Sequence, residues 1–456
     1  MTTDRIGTLP EALRGKAFRT DEPAYDGLCS GWNSRVRHRP DLAVAAAGPA
    51  DVAAAVRLAG GAGLAVRVQG TGHGALLPQR GGVLVNTAAL GGVTVDPTAR
   101  TATVGAGARW QDLLTAAEPY GLAGLTPPAP SVGVTGYALG GGAGWFARRY
   151  GLCADSVLAA EIVTADGRLR WVDGDTEPEL FWALRGADDN LGIVTRLRLR
   201  LYPIAEVYGG ARYWPIERAP EILARYREWT GTVPDETTSS AVFMQFPASP
   251  KLPEALRGRA VVGVRAAHLG GGGPGVLAPV RELPGALGDT YRTMPVTEIG
   301  TITNDSTAPL PRIGFSRALS DVDDELIGRL VDVARPGATY GALELRHAGG
   351  GAHSPDHAGL GYWGAGFLLF TMAVTPDDAA VRGAEEFAEA LTKATADHLA
   401  DRNLMSFLLA PPGPVDMAER VRGVFSAEHY ARLAAAKAAY DPAGMFGGDR
   451  PVTPAG

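Results

Sequence analysis

The sequence predicts a two-domain α+β protein, and three observations carry that expectation. The chain has 456 residues, more than one ordinary domain holds. Hydrophobic residues make up 46% and charged residues 20%, the balance of a chain that folds around apolar cores. The pattern also changes near residue 205, from short, densely packed elements to strands followed by amphipathic helices.

The elements follow in order. "PADVAAAVRLAGGAGLAVRVQG" opens with a proline, continues at alanine-rich helical spacing, stops at a glycine pair and ends in the strand-like "LAVRVQ". "GGVLVNTAAL" is a second strand and turn. "GVTVDPTARTATVGAGARWQDLLTAAEPYG" reads as a hairpin turning at Asp96-Pro97, then a helix from about Arg109. "SVLAAEIVTADGRLRWVD" is another hairpin, with Asp166-Gly167 as a two-residue turn. "IVTRLRLRLYPI" alternates as a half-buried strand should. From about Val207 to Asn403 come the strands "AVVGVRAAHLG", "ALELRHAGGG" and "FLLFTMAV" and the helix "DAAVRGAEEFAEALTKATADHLA". That order predicts a sheet backed by helices. The tail is a helix stopped by "YDPAG".

Several classes are disfavoured. A formal charge of −6 with scattered basic residues marks no nucleic-acid surface. The longest uncharged window, Ala358 to Pro376, is broken by glycines, and "FLLFTMAV" within it reads as a buried strand, so no membrane span is expected. The opening "MTTDRIGTLPEALRGKAF" lacks the apolar core of a signal peptide, and a cytoplasmic location is expected. Two cysteines make neither a disulfide framework nor a cysteine zinc site, and the eight histidines lack metal-ligand spacing, so no metal is expected.

Glycine is where the chain departs from the ordinary. "VRVQGTGHGALLPQRGGVLVNT" sets His73 between glycines, as where backbone approaches a large ligand. By itself such a histidine suits a metal ligand, a base, an attachment point or a polar loop. The loop leads into another strand rather than a helix, which argues against a Rossmann fingerprint, although successive glycine turns can still form an anion nest. A second cluster, "PSVGVTGYALGGGAGWFARRYGL", places Gly133, Gly136, Gly140, Gly141, Gly142 and Gly144 within twelve residues. Glycines so grouped mark either a cofactor cradle or a tight crossing of backbones.

With "EIVTADG", "LFWALRGADDNLGIVT", "ELRHAGGGA" and "YDPAGMF" in the same order, these stretches make the chain resemble the berberine-bridge-enzyme-like oxidases of the vanillyl-alcohol-oxidase (PCMH-type FAD-binding) superfamily. The resemblance implies a two-domain flavoprotein with FAD-binding parts at 1–205 and 410–456 and a substrate domain at 206–409. It implies FAD bonded to His73, since Arg67, Gly70, Gly72 and His73 match the family's attachment loop. It extends cofactor contact to Gln69, Thr71, Gly74 and Ala75, to Pro130, Ser131, Val132, Gly133, Val134, Gly136, Tyr137, Gly140, Gly141, Gly142, Gly144, Trp145 and Tyr150, and to Asn190, Gly192, Ile193 and Val194. Many relatives carry a second, cysteinyl link just before "VGV"; Ala129 stands there, so a single link is expected, with Cys153 a buried structural thiol.

The family often supplies its base from a "YxN" motif, which here reads Leu404 and Ser406. Glu344 and Arg346 become candidates because alternation puts them on one strand face, with His347 on the other; a salt-bridged sheet face is the plainer reading. Tyr137, Tyr362 and His353 are further candidates, Tyr137 also reading as packing. Asp188 and Asp189 resemble a metal pair but read as loop-surface carboxylates, and Asp449 replaces a usual asparagine. The implied activity is an O2-using FAD oxidase that takes a hydride from a small organic, secondary-metabolite substrate and releases hydrogen peroxide. Because the tyrosine is missing, a flavin-dependent cyclase or oxygenating enzyme and a redox-inactive flavin-binding protein stay open as alternatives.

Overall fold

Three sheets organise the chain in the computed structural model, which describes residues 6–353, 359–360, 363–409 and 416–456. The first has the order Ala17–Phe18, Leu42–Ala45, Val83–Asn86, Val66–Gln69, and its last three strands are parallel. Parallel neighbours need a crossover, and helix Pro49–Ala62 supplies it. Its start is fixed by Pro49 and by Asp51, whose carboxylate accepts from the Ala47 and Gly48 amides at 2.9 and 3.1 Å. Gly63, at φ +63°, ends it. Val52, Ala55, Val56 and Ala59 pack on Val44, Val83 and Val85.

The second sheet is antiparallel, in the order Val93–Asp96, Thr101–Gly105, Ile193–Arg200, Val157–Val163, Leu169–Asp173. In Ile193–Arg200, Leu197 and Leu199 are buried while Arg196, Arg198 and Arg200 face water. The hairpin around Asp166-Gly167 is wider than the two-residue turn the sequence predicts. Gly167 donates to Thr164 O at 2.8 Å and Thr164 N to Arg168 O at 3.2 Å. Asp166 favours this shape by accepting from Thr164 Oγ1 at 2.7 Å and Arg168 N at 3.1 Å.

The third sheet has eight antiparallel strands, with Thr237–Gln245, Ala342–His347 and Phe367–Val374 adjacent in its middle. Helices Ala219–Thr230, Asp324–Val333 and Asp378–Ala394 cover one face through Tyr226, Leu330 and Leu391. Asp323 and Asp377 cap the last two by accepting from Leu326 N at 2.8 Å and Ala380 N at 2.9 Å. The other face meets the first half of the chain. One apolar cluster joins Trp145, Phe146 and Leu152 to Ala348, Leu368 and Leu404, so the halves share a core.

The last helix, Ala427–Tyr440, returns to the N-terminal part. Lys437, fully buried, donates to Asp441 Oδ2 at 2.5 Å, Asn190 O at 2.7 Å and Phe446 O at 3.1 Å. A buried ammonium is tolerable only with that full set of acceptors. Among the described residues no helix is long and apolar enough to cross a membrane.

Candidate cofactor and substrate site

Where the two halves meet lies a cavity of about 390 Å³. One side is formed by residues from 67–75, 127–139 and 188–194; the other is the open face of the eight-stranded sheet.

The first glycine loop shapes itself against a segment the sequence did not single out. Gly72 sits at φ +72°, and a Cβ there would lie 2.5 Å from Gly31 Cα, so two glycines let the backbones touch. Trp32 N donates to Thr71 O at 2.8 Å, and the indole stacks on His73 at 4.5 Å between ring centres and 12° between planes. Arg312 donates to His73 O at 2.5 Å. The imidazole Nδ1 lies 3.0 Å from Thr71 Oγ1, while the buried Nε2 has no partner. Burial, then the charges of Arg312 and Arg109, push the His73 pKa down to about 3, so the ring is neutral at physiological pH. Arg67, Gln69, Gly70, Thr71, Gly72, Gly74 and Ala75 line the cavity with it.

The second glycine stretch divides. Ala129, Val132, Gly133, Gly136 and Tyr137 line the cavity; Pro130, Ser131, Val134, Gly140, Gly141, Gly142, Gly144, Trp145 and Tyr150 stand behind that lining. The rear glycines form a tight crossing. A Cβ on Gly144 would lie 2.1 Å from Thr126 O, and one on Gly142 would lie 2.6 Å from the Tyr137 ring and 2.8 Å from Cys153 Cβ. Tyr137 fills the space they leave, meets Trp110 edge-on at 5.6 Å, and has a hydroxyl without a partner. Burial raises its pKa far above the ordinary phenol value. Cys153 is buried outside the lining. Gly192 and Val194 line the cavity and Ile193 alternates away from it.

Asp188 and Asp189 correct the sequence reading: they line the cavity rather than the surface. Chain segments distant in sequence put them there. Arg450 donates to Asp188 at 3.1 Å, and Arg67 donates to Asp449 at 2.8 Å. Asp449 also accepts from Leu76 N at 2.8 Å and Leu77 N at 3.2 Å, anchoring the first glycine loop. Burial, reinforced by the Asp188 charge, raises the Asp189 pKa to about 7 against the pull of Arg67. Among the described residues no acidic, histidine or cysteine group is arranged to hold a metal.

On the sheet side, Glu344 and Arg346 share the cavity face, joined at 3.0 Å, and Arg346 also donates to Ala143 O at 3.0 Å. Burial works against the Glu344 charge, but Arg346 and Arg265 outweigh it and hold the carboxyl below its usual range. His347 points away, 3.0 Å from Arg148, and His353 lies outside the lining, bonded to Ala365 O at 2.6 Å. Tyr362 lies outside the described residues. Of the two positions replacing the family motif, Ser406 lines the cavity with an unpartnered Oγ, while Leu404 is buried behind Gly141. Arg265, Arg312 and Phe407 also line it. Each is a single residue without a local motif, and no sequence signal marked them.

A model of the FAD binding domain matches residues 40–173. (R)-6-hydroxynicotine oxidase of Paenarthrobacter nicotinovorans is 27% identical, with 98% of each chain covered. The solved 6-hydroxy-D-nicotine oxidase of Arthrobacter nicotinovorans superposes with a TM-score of 0.85 at 25% identity, covering 98% of this chain and 99% of that one. The chain thus carries an FAD-binding domain and is similar along its whole length to FAD-linked oxidoreductases of the vanillyl-alcohol-oxidase (PCMH-type) family. The fold of this flavoprotein is also that of a berberine-bridge-enzyme-like protein of Physcomitrella patens, with a TM-score of 0.84 at 19% identity over 98% of this chain and 100% of that one.

The cavity suits FAD on its own terms. Gln69 Oε1, His73 Nε2, Thr135 Oγ1, Tyr137 OH, Arg265 Nε, Arg312 Nε and Ser406 Oγ belong to residues that line it, and all seven are buried without a partner. Buried polar atoms are normally satisfied, so such a concentration marks a place built for a polar ligand. Gly74 and Gly136 have no atom within 4 Å of a would-be Cβ, leaving open space at the lining.

Proposed function

We propose that this flavoprotein holds FAD by a single covalent bond from His73 to the 8α-methyl carbon and acts as an O2-using oxidase on a small organic molecule. When bound, FAD accepts a hydride from a carbon bearing oxygen or nitrogen and passes the electrons to O2, giving hydrogen peroxide.

His73 Nε2 is the observation that carries this reading. It is buried, neutral and without a partner, the state in which an imidazole nitrogen is nucleophilic. Trp32 and Thr71 fix the ring's orientation, so little rotational freedom is lost on attachment. Ala129, lining the cavity where relatives place a cysteine, supports one link rather than two. Residues 1–205 and 410–456 then hold the cofactor, and 206–409 supply the substrate wall.

Glu344 takes the proton from the substrate heteroatom in this reading. It is ionised, buried and on the cavity face, and Arg346 fixes its orientation. Tyr137 keeps its proton and serves as a hydrogen-bond donor.

Acid precipitation of the purified yellow protein tests the tether. Colour should stay with wild-type protein and be lost from His73→Ala; colour released from both would overturn the covalent assignment. Peroxide formed during aerobic turnover tests the oxidase assignment separately.

A further inference from the structure

We propose that the substrate carries a carboxylate and that Arg265 receives it. This deepens the reading above, since it names the substrate class for the same cavity and depends on flavin being bound there.

Arg265 stands on strand Ala260–His268, and its register partners carry its row across the sheet through Ser240 to Arg346. All three therefore share the face that meets the cavity. Its side chain runs along the sheet to Met244, four residues beyond Ser240, which brings the guanidinium level with Glu344. Among the described residues the acceptors it finds there are the Met244 sulfur, at 2.9 Å from Nη2, and the Tyr213 side chain, neither of them a carboxylate; its Nε has none. Yet Arg265 lines the cavity while only 3% exposed.

A thioether is a weak acceptor, and a guanidinium removed from water normally faces a carboxylate or several carbonyl oxygens. The wall does not supply one for it. Glu344 is bidentate to Arg346, with Nε and Nη2 at 3.4 and 3.0 Å from its two oxygens. On the buried sheet face Glu344 thus lies between two guanidiniums, and the other lining carboxylate within reach of Arg265, Asp305, is exposed. Burial opposes the charge on Arg265, but Tyr213, Glu344 and Asp305 sustain it. Arg312 also has an unpartnered Nε, but it donates to His73 O and lies over Trp32, at the His73 end of the cavity. A planar fork with a free edge beside an occupied carboxylate matches an incoming carboxylate oxygen pair. Phe370, Met372 and Phe407 supply apolar walls for the rest of such a molecule.

The test uses the purified yellow holoenzyme and two probes of the same shape, benzoate and its neutral analogue benzamide, titrated while the flavin absorbance is followed. Benzoate should bind about tenfold or more tightly than benzamide. Arg265→Gln should remove that preference by weakening benzoate far more than benzamide, and Arg265→Lys should keep part of it. Equal binding of the two probes by wild type overturns the proposal, as does a spectrum benzoate leaves unchanged or an undiminished preference in Arg265→Gln. Colour retained after acid precipitation reports that each variant is folded and loaded, and if Arg265→Gln fails there, the wild-type comparison and Arg265→Lys decide. A colourless wild-type protein would instead overturn the flavin reading itself.

Discussion

Gly74 of the first glycine loop and Gly136 at the start of the second stretch have open space where a side chain would go; Gly142 and Gly144, a few residues later, have none. The first pair borders the cavity, and the second lets the chain cross Thr126 and Cys153 at backbone distance. In sequence the four look alike. The comparison teaches that a glycine cluster records two different demands, room for a ligand and room for the protein's own backbone, which only the three-dimensional surroundings separate.

Substitutions can break that comparison. Gly144→Ala should have the largest effect, because its Cβ would meet a carbonyl oxygen that cannot move alone. A loss of about 4 kcal/mol or more is expected, read as missing soluble protein or a collapsed Tm. Gly136→Ala should leave Tm nearly unchanged, since the position is helical and open, and should lower the fraction of chains that carry flavin. Similar melting of the two variants would erase the distinction.

The sheet opposite sharpens it from the other side, since there charge rather than space is organised. Glu344→Gln should keep the bound colour and lower the rate of flavin reduction by about 10²–10⁴-fold. In the wild type the acid limb of kcat/KM assigned to Glu344 should fall below the usual carboxylate range, because the active form is ionised and Arg346 and Arg265 favour it. An inflection near neutrality that Glu344→Gln removes would contradict that setting.

A smaller effect concerns stability. Burial depresses the pKa of His38 to about 4, and that of His73 and His347 to about 3, from an ordinary 6.5. Each is neutral in the fold and takes up a proton more readily when unfolded, so stability present above 6.5 is lost as pH falls toward the folded values. In protein free of flavin each histidine should cost about 2 kcal/mol on going to pH 5. Denaturant midpoints of His347→Gln across that range should fall less steeply than those of wild type.

Much of the fold was legible because its signals are local. The helix at Pro49–Ala62 carries its own start and stop, and the arginine-leucine alternation of Ile193–Arg200 declares its exposed face. His73 and the Glu344/Arg346 pairing were legible for the same reason, through a loop pattern and a two-residue period. The Asp188–Asp189 setting was not, because its counter-charges come from Arg450, 262 residues away, and from Arg67. Trp32, Arg265 and Arg312 were missed likewise, each gaining its meaning from partners distant in the sequence.

The stack of Trp32 on His73 makes the protein its own optical gauge. An indole 4.5 Å from the imidazole sits within energy-transfer range of any yellow chromophore attached to that ring. Its ultraviolet emission should therefore darken as the cofactor seats, marking maturation in real time without an added dye.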